Sequence, residues 1–191
     1  MTTRGNLFVI SGPSGAGKGT LVARLLEAVP SAWVSVSATT RKARPGELDG
    51  VHYFFLTEEQ FDGIVAQDGF LEWAQVHSNR YGTPQAKVEQ AIVQGKQVVL
   101  EIDVQGAFQV REKMPEAILV FIEPPSLKIL EERLRNRGTE TEDVIAARMK
   151  VASMELSEKM KYDYVIVNDN LDEATRELVD FVKLKANRTE E

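Results

Sequence analysis

The stretch Gly12-Pro13-Ser14-Gly15-Ala16-Gly17-Lys18-Gly19-Thr20 restricts the fold of this chain more than any other. An apolar run, Leu7-Phe8-Val9-Ile10, precedes it, and a helical pattern follows in which Leu21, Val22, Leu25, Leu26 and Val29 share one face. Strand, glycine-rich turn and helix in that order form an anion cradle. The glycines let successive backbone N–H groups turn inward, and the helix N-terminus adds the positive end of its dipole. Lys18 supplies a mobile charge for the outer phosphates of a nucleotide. Gly12, Ser14, Gly15, Ala16, Gly17, Lys18, Gly19 and Thr20 are therefore expected to wrap a phosphate chain. The pattern G-x-x-x-x-G-K departs from its usual form at the next position, where Gly19 replaces a Ser or Thr that binds Mg²⁺. Thr20 is the nearest hydroxyl.

A chain of 191 residues has room for one substantial core with small insertions, not for two large domains. Its net charge of −6 argues against a general nucleic-acid binder, while leaving room for a local basic pocket. The absence of cysteine excludes disulfides, thiolate metal sites and cysteine nucleophiles. The N-terminal residues enter the first strand directly, which leaves no space for a signal peptide. No apolar run approaches the roughly 20 residues that span a bilayer. No membrane association and a cytoplasmic location are expected.

Along the chain, alternation predicts a strand over 33–37, running into the polar loop Ala38-Thr39-Thr40-Arg41-Lys42-Ala43-Arg44-Pro45-Gly46-Glu47. A strand over 52–56 precedes Thr57-Glu58-Glu59-Gln60, which has capping-box spacing for a short helix. A strand over 70–76, a turn at Ser78-Asn79 and a helix from near Pro84 to Gly95 follow. Residues from about 37 to 84 thus read as an insertion of short strands, loops and one helix. Buried-type strands follow over 98–102, ending in Asp103, and over 117–122. Ser126 caps a helix that reaches Arg137, with Gly138 as its stop. A second helix ends near Lys161, and a strand over 164–168 and a helix over 171–186 complete the pattern. Strands alternating with helices imply an α/β fold whose parallel sheet is covered on both faces.

Other constellations admit two readings each. Arg41-Lys42-Ala43-Arg44 is either a solvated charge run or, with Pro45-Gly46 behind it, a shaped turn whose planar guanidinium forks suit phosphate. Tyr53 and Tyr81 are hydroxyl donors or core aromatics. Glu72 sits in an apolar strand where alternation turns it away from Leu71 and Trp73, toward solvent or toward a ligand. Glu101 and Asp103 close a buried strand at its carboxyl end, where α/β folds present ligand-binding groups; spacing does not choose which of them orients Mg²⁺ or its waters. Arg133 and Arg137 share a helix face, with Arg148 on the next helix. They close over a phosphate chain or pair with neighbours such as Glu131 and Glu132. His52 and His77 lack metal-ligand spacing and a nucleophile partner, and read as structural or surface residues.

Together these segments resemble the guanylate kinase family of nucleoside monophosphate kinases. The resemblance runs from residue 7 to about 181. It is carried by the glycine loop, Ser37-Ala38-Thr39-Thr40-Arg41-Lys42-Ala43-Arg44, Gly50-Val51-His52-Tyr53-Phe54 and Phe70-Leu71-Glu72-Trp73-Ala74. Further on it rests on Tyr81-Gly82-Thr83, Ile102-Asp103-Val104-Gln105-Gly106, Arg137-Gly138-Thr139-Glu140 and Val165-Ile166-Val167-Asn168. It implies a P-loop kinase fold, with a central parallel sheet flanked by helices, a mixed α/β GMP-binding insertion and a helical lid. The core would cover 1–36, 84–135 and 152–187, the insertion 37–83 and the lid about 136–151. The implied reaction is Mg²⁺-dependent transfer of the ATP γ-phosphoryl group to GMP, giving ADP and GDP, in purine nucleotide metabolism. By resemblance Arg41, Arg44, Tyr53 and Tyr81 hold the GMP phosphate. Ser37 and Thr83 donate toward guanine O6, and Glu72 and Asp103 accept from N1–H and the N2 amino group. Lys18 and the loop amides hold ATP, Arg133, Arg137 and Arg148 close from the lid side, and Asn168 lies at the adenine end. Gly19 leaves Mg²⁺ to phosphates and waters, with indirect roles for Thr20 and Glu101. GMP and ATP are the expected partners, with dGMP and the oligomeric state left open. The rivals are a non-catalytic peptide-binding module of the same type and a P-loop kinase for a phosphorylated sugar.

Overall fold

The computed structural model describes residues 4–136, 138 and 141–188. Strand β1 (Leu7–Ser11) is buried along its whole length, so it needs apolar cover on both faces. It lies at the centre of a five-stranded sheet ordered β2-β7-β1-β8-β9. The partners are β2 (Ala32–Val34), β7 (Gln97–Glu101), β8 (Ile118–Glu123) and β9 (Tyr164–Val167), and every pairing is parallel. The two-residue period of a strand splits the core into two layers. Leu7, Val9, Val98, Leu100, Leu119 and Phe121 face helices α3 (Gln85–Val93) and α4 (Val104–Lys113). Phe8, Ile10, Val99, Val120 and Ile122 face α1 (Lys18–Ala28) and α7 (Leu171–Arg188).

Most expected elements form, with instructive differences. On α1, Leu21, Val22 and Leu25 are buried, but Leu26 is 37% exposed, because the buried stripe is narrower than the apolar one. The strand expected over 33–37 ends at Val34, where the chain leaves the sheet. The strand expected over 52–56 shortens to β4 (Phe54–Phe55). Helix α4 was not legible as a periodic run, since Gly106 and polar residues interrupt its apolar face; Asp103, which caps it, is its local signal. Helix α5 (Leu127–Asn136) begins at Ser126, whose Oγ accepts from the Ile129 N–H at 3.2 Å. The expected end at Arg137 lies outside the described residues, and Gly138 follows with a left-handed φ of 65°. Helix α6 (Glu142–Ser157) stops before Lys161, which belongs to a separate 3₁₀ turn, Lys159–Lys161.

The insertion folds into a second sheet of four strands, ordered β4-β3-β6-β5, with β3 (Ala38–Thr39), β5 (Phe70–Val76) and β6 (Asn79–Pro84). Its own small core is Ala38, Phe61 and Phe70, covered by α2 (Glu58–Ala66). The predicted capping box starts α2: Thr57 Oγ1 accepts from the Gln60 N–H, and the Gln60 side chain accepts from the Thr57 N–H. A third small core, Leu130, Leu134, Ile145 and Ala152, holds α5 against α6. Among the described residues no helix is long and apolar enough to cross a membrane.

Candidate functional site

The carboxyl end of β1 leads into the glycine loop, and α1 begins at Lys18. Two glycines there meet specific steric demands. A Cβ on Gly12 (φ 140°) would lie 2.1 Å from the Ile122 carbonyl oxygen, and one on Gly17 (φ 97°) would lie 2.3 Å from Asn168 Nδ2. Ala16 N–H donates to the Pro13 carbonyl at 3.1 Å, and Asn168 Nδ2 donates to the Ala16 carbonyl at 2.7 Å, so β9 ties down the turn. Leu130 and Leu134 of α5 press against Gly15.

Cations converge on this loop from three helices. Lys18 Nζ folds back to donate to the carbonyls of Gly12 (2.6 Å) and Pro13 (3.2 Å). Arg148 of α6 donates to Ser14 Oγ at 2.6 Å, and Arg133 of α5 donates to the Asn168 carbonyl at 2.9 Å. Arg135 makes surface ion pairs with Glu131 and Glu142. Arg137 lies outside the described residues. Ser14, Gly15, Gly17, Lys18, Gly19 and Thr20 line a pocket of about 270 Å³ with Glu101. Through Gly15, Gly17 and Thr20 it adjoins one of about 200 Å³ reached by Arg133, Asn168 and Leu171. A chain of phosphates with a base at one end fits such a paired shape.

The second half of the site depends on a bulge. Phe70 pairs with Pro84 and Glu72 with the adjacent Thr83, which leaves Leu71 without an opposite residue. Alternation therefore fails locally: Phe70 enters the small core, Leu71 the main core, and Glu72 is buried as well. The solvent-facing reading of Glu72 is thereby removed. Glu72 Oε1 accepts from the Thr83 hydroxyl at 2.6 Å. Gly106, in the first turn of α4, lets two carboxylates approach: its Cβ would lie 3.2 Å from Glu72 Oε2 and 3.4 Å from Asp103 Oδ1. Asp103 Oδ1 caps α4 by accepting from the Gly106 N–H at 2.8 Å. Burial pushes the Glu72 carboxyl above its ordinary value. Thr83 opposes that shift, and the Asp103 charge adds to it.

Ser37 and Thr83 share a pocket of about 170 Å³ with Tyr53 and Glu101, between the two sheets. Arg41 lies 5.4 Å over the Tyr53 ring, and Tyr53 meets Tyr81 edge-on at 5.9 Å. Arg41 forks onto Glu47, with both N···O distances 2.9 Å, and holds that carboxyl down to about 2. The Arg44 N–H also donates to Glu47, while the Arg44 side chain is exposed. The basic run is thus a shaped turn: Glu47 N–H donates to the Arg44 carbonyl across Pro45 and Gly46, and Gly46 has φ 87°. Glu47 was not singled out in the sequence; the Pro-Gly turn that returns it toward Arg41 is the signal. His52 accepts from the Leu48 N–H through Nδ1 and also lines the 170 Å³ pocket, while His77 sits in the β5–β6 turn.

Glu101 borders both the 270 Å³ and the 170 Å³ pocket, and so stands where the two halves meet. Although solvent reaches it, partial desolvation raises its carboxyl, and Lys18 pulls the other way. A Cβ on Gly19 would stand 3.5 Å from Glu101 Oε1, an ordinary contact, so sterics do not demand glycine there. Among the described residues no three acidic or histidine side chains form a metal cage. The Thr20 hydroxyl and Glu101 carboxylate are hard oxygen donors beside a phosphate cradle, which fits Mg²⁺, an ion that keeps several waters. Ser11 Oγ links the halves from below, its single proton shared between the carbonyls of Ile102 (2.9 Å) and Asp103 (3.1 Å).

Comparison with known proteins concerns the chain as a whole. The guanylate kinase family model matches residues 4–185. The guanylate kinase of Prochlorococcus marinus (strain NATL2A) is 48% identical over 185 residues, covering 97% of this chain and 100% of the relative. That of Synechococcus sp. (strain CC9311) is 53% identical over 170 residues, covering 89% and 90%. The crystal structure of guanylate kinase from Anaplasma phagocytophilum superimposes with a TM-score of 0.74 at 34% identity, covering 97% of this chain and 88% of that one. A gluconokinase from Sinorhizobium meliloti 1021 shares the fold alone, with a TM-score of 0.52 at 16% identity over 98% of this chain and 97% of its own. With its glycine loop, its paired carboxylates and these relatives over nearly its full length, this chain belongs to the guanylate kinase family.

Proposed function

We propose that this protein is a cytoplasmic nucleoside monophosphate kinase that moves the γ-phosphoryl group of ATP to GMP, giving ADP and GDP. The observation that carries the reading is the buried Glu72–Thr83 pair beside Asp103, one strand end away from a phosphate cradle. Guanine presents N1–H and N2 donors next to an O6 acceptor. Glu72 and Asp103 accept from the donors, and Ser37 and Thr83 donate to O6. Without nucleotide, the Thr83 hydroxyl and Glu72 satisfy each other. When guanine binds, the hydroxyl turns to O6 and the carboxylate takes N1–H. Adenine presents an amino donor where O6 would be and no N1–H, so polar groups of the site stay unpaired and the base is rejected, by roughly 10⁴-fold for sites of this kind.

Arg41, Arg44, Tyr53 and Tyr81 hold the acceptor phosphate, with Glu47 keeping Arg41 in place. That phosphate has a second pKa of about 6 and is already ionised, so no strong general base is required. The barrier is the approach of two anions in line. Lys18, Arg133 and Arg148, with Arg137 of the lid, neutralise charge on the transferring group. Bound Mg²⁺ would supply further charge neutralisation on the ATP phosphates, with Thr20 and Glu101 as the protein oxygens beside it. Asn168, whose amide is engaged with Ala16, holds the loop at the adenine end rather than reading the base. The insertion (37–83) and the lid (about 136–151) close over the nucleotides and exclude water, the competing phosphoryl acceptor.

The decisive experiment is ADP release by the purified protein with ATP-Mg²⁺ and each of GMP, AMP, CMP and UMP. GMP should be strongly preferred; comparable rates with AMP would overturn the guanine reading.

A further inference from the structure

The pocket between the two sheets contains a group that the reading above does not use. Ser35 is 9% exposed, and its Oγ is buried with no hydrogen-bond partner among the described residues. A buried hydroxyl left in this state costs stability, and at a pocket wall a bound hydroxyl relieves that cost. Ser35 lines the same cavity as Ser37, Tyr53 and Thr83. Its backbone places it there. The Ser35 N–H extends the β2–β7 ladder by donating to the Val99 carbonyl at 3.0 Å. Two residues on, the Ser37 carbonyl extends the β3–β4 ladder by accepting from the Phe54 N–H at 2.9 Å. Ser35 therefore stands at the carboxyl end of a parallel strand, at the joint between the sheets, where ligands of such folds bind.

We propose that Ser35 Oγ is the hydrogen-bond partner of the ribose 2′-OH of the acceptor nucleotide, and so favours GMP over dGMP. This rests on the assignment of GMP to the pocket. Ser37 and Thr83 face the base and Tyr53 the phosphate, so the sugar lies between them, within this cavity. Of its two hydroxyls, the 2′-OH is one carbon from the base-bearing C1′. Ser35 is the neighbour of a base-facing serine. Both hydroxyls donate and accept, so either direction of the bond is available. Oγ itself is enclosed in the structure, so the bond requires a χ1 step between staggered wells toward the cavity.

The test compares kcat/KM for GMP and dGMP in the wild type and in Ser35→Ala. The wild type should prefer GMP by about three- to tenfold, the worth of one neutral hydrogen bond. Ser35→Ala should lose about that factor with GMP and nothing with dGMP, bringing the ratio close to unity. An unchanged ratio, or equal losses with both nucleotides, would overturn the proposal. No turnover of GMP by the wild type would instead overturn the kinase reading beneath it. Thermal shift supplies a second readout that does not depend on turnover. The substitution should leave the Tm of the unliganded protein unchanged or higher, and should shrink the shift induced by GMP but not that induced by dGMP. A lower unliganded Tm with both nucleotide shifts unchanged would make Ser35 a residue of the fold only.

Discussion

Glu72→Gln separates reading a base from building a fold. The glutamine has the shape of the glutamate, and its amide oxygen keeps the acceptor that Thr83 uses at 2.6 Å. What disappears is a charge that burial and Asp103 both oppose. Stability should therefore be unchanged or should rise by up to about 1 kcal/mol. The sign with pH follows from the raised carboxyl. Because the folded protein holds the Glu72 proton more tightly than the unfolded chain, this group's contribution is full below the ordinary 4.5 and is lost as pH rises through the folded value. The advantage of Glu72→Gln over the wild type should therefore grow between about pH 4 and about pH 8. Catalysis should move the other way. The variant loses a charge-assisted bond to guanine N1–H, about 1.5–3 kcal/mol, and leaves a buried donor unpaired, about 1–3 kcal/mol. Together these predict a fall of about 10²- to 10⁴-fold in kcat/KM for GMP, at 1.4 kcal/mol per tenfold. Urea unfolding at the two pH values and a coupled ADP assay with GMP and AMP measure both sides. A stability loss above about 2 kcal/mol, with GMP and AMP rates falling together, would make Glu72 a packing residue and refute the argument.

Three other perturbations probe the donor side and the phosphate turn. Lys18→Ala should lower turnover by about 10²- to 10⁴-fold while calorimetric GMP affinity is nearly kept; near-normal turnover would remove Lys18 from the chemistry. Gly17→Ala forces a Cβ to 2.3 Å from Asn168 Nδ2 at a φ of 97°, and should cost about 1–3 kcal/mol in denaturant unfolding and raise KM for ATP. Full stability in that variant would mean the loop is not held as described. The Glu47 carboxyl, paired with Arg41, should titrate by NMR near 2 rather than 4.5. Its contribution to stability is present above 4.5 and is lost as pH falls through about 2. A midpoint at the ordinary value would show the Arg41–Glu47 pair to be open in solution.

What could be read from residue order alone is local. The glycine loop is legible because each glycine answers a backbone demand within a few residues, and the lysine follows at fixed spacing. The Thr57–Gln60 capping box, the Ser126 cap and the Pro45-Gly46 turn are legible for the same reason: their hydrogen bonds span three residues. Strand β5 was bounded correctly, since its aromatic and β-branched content is intrinsic to the segment. Helix α4 was missed because its apolar positions make sense only against a sheet built from residues far along the chain.

The site itself is a tertiary product. Whether Glu72 faces water or a base is decided by the bulge at Leu71, which exists because two separate cores claim adjacent residues. Glu72 and Asp103 are brought together only when α4 docks on β5 with a glycine between the carboxylates. Arg133 and Arg148 reach the loop because α5 and α6 pack on each other. Ser35 becomes distinctive only once its hydroxyl is seen to be buried and unpaired among the described residues. Backbone conformation answers to neighbours in sequence, whereas burial and charge proximity answer to neighbours in space. Residue spacing alone therefore identified a phosphate cradle, and resemblance named the family and its acceptor; the packing of two sheets across the cradle decided how the opposite residues meet.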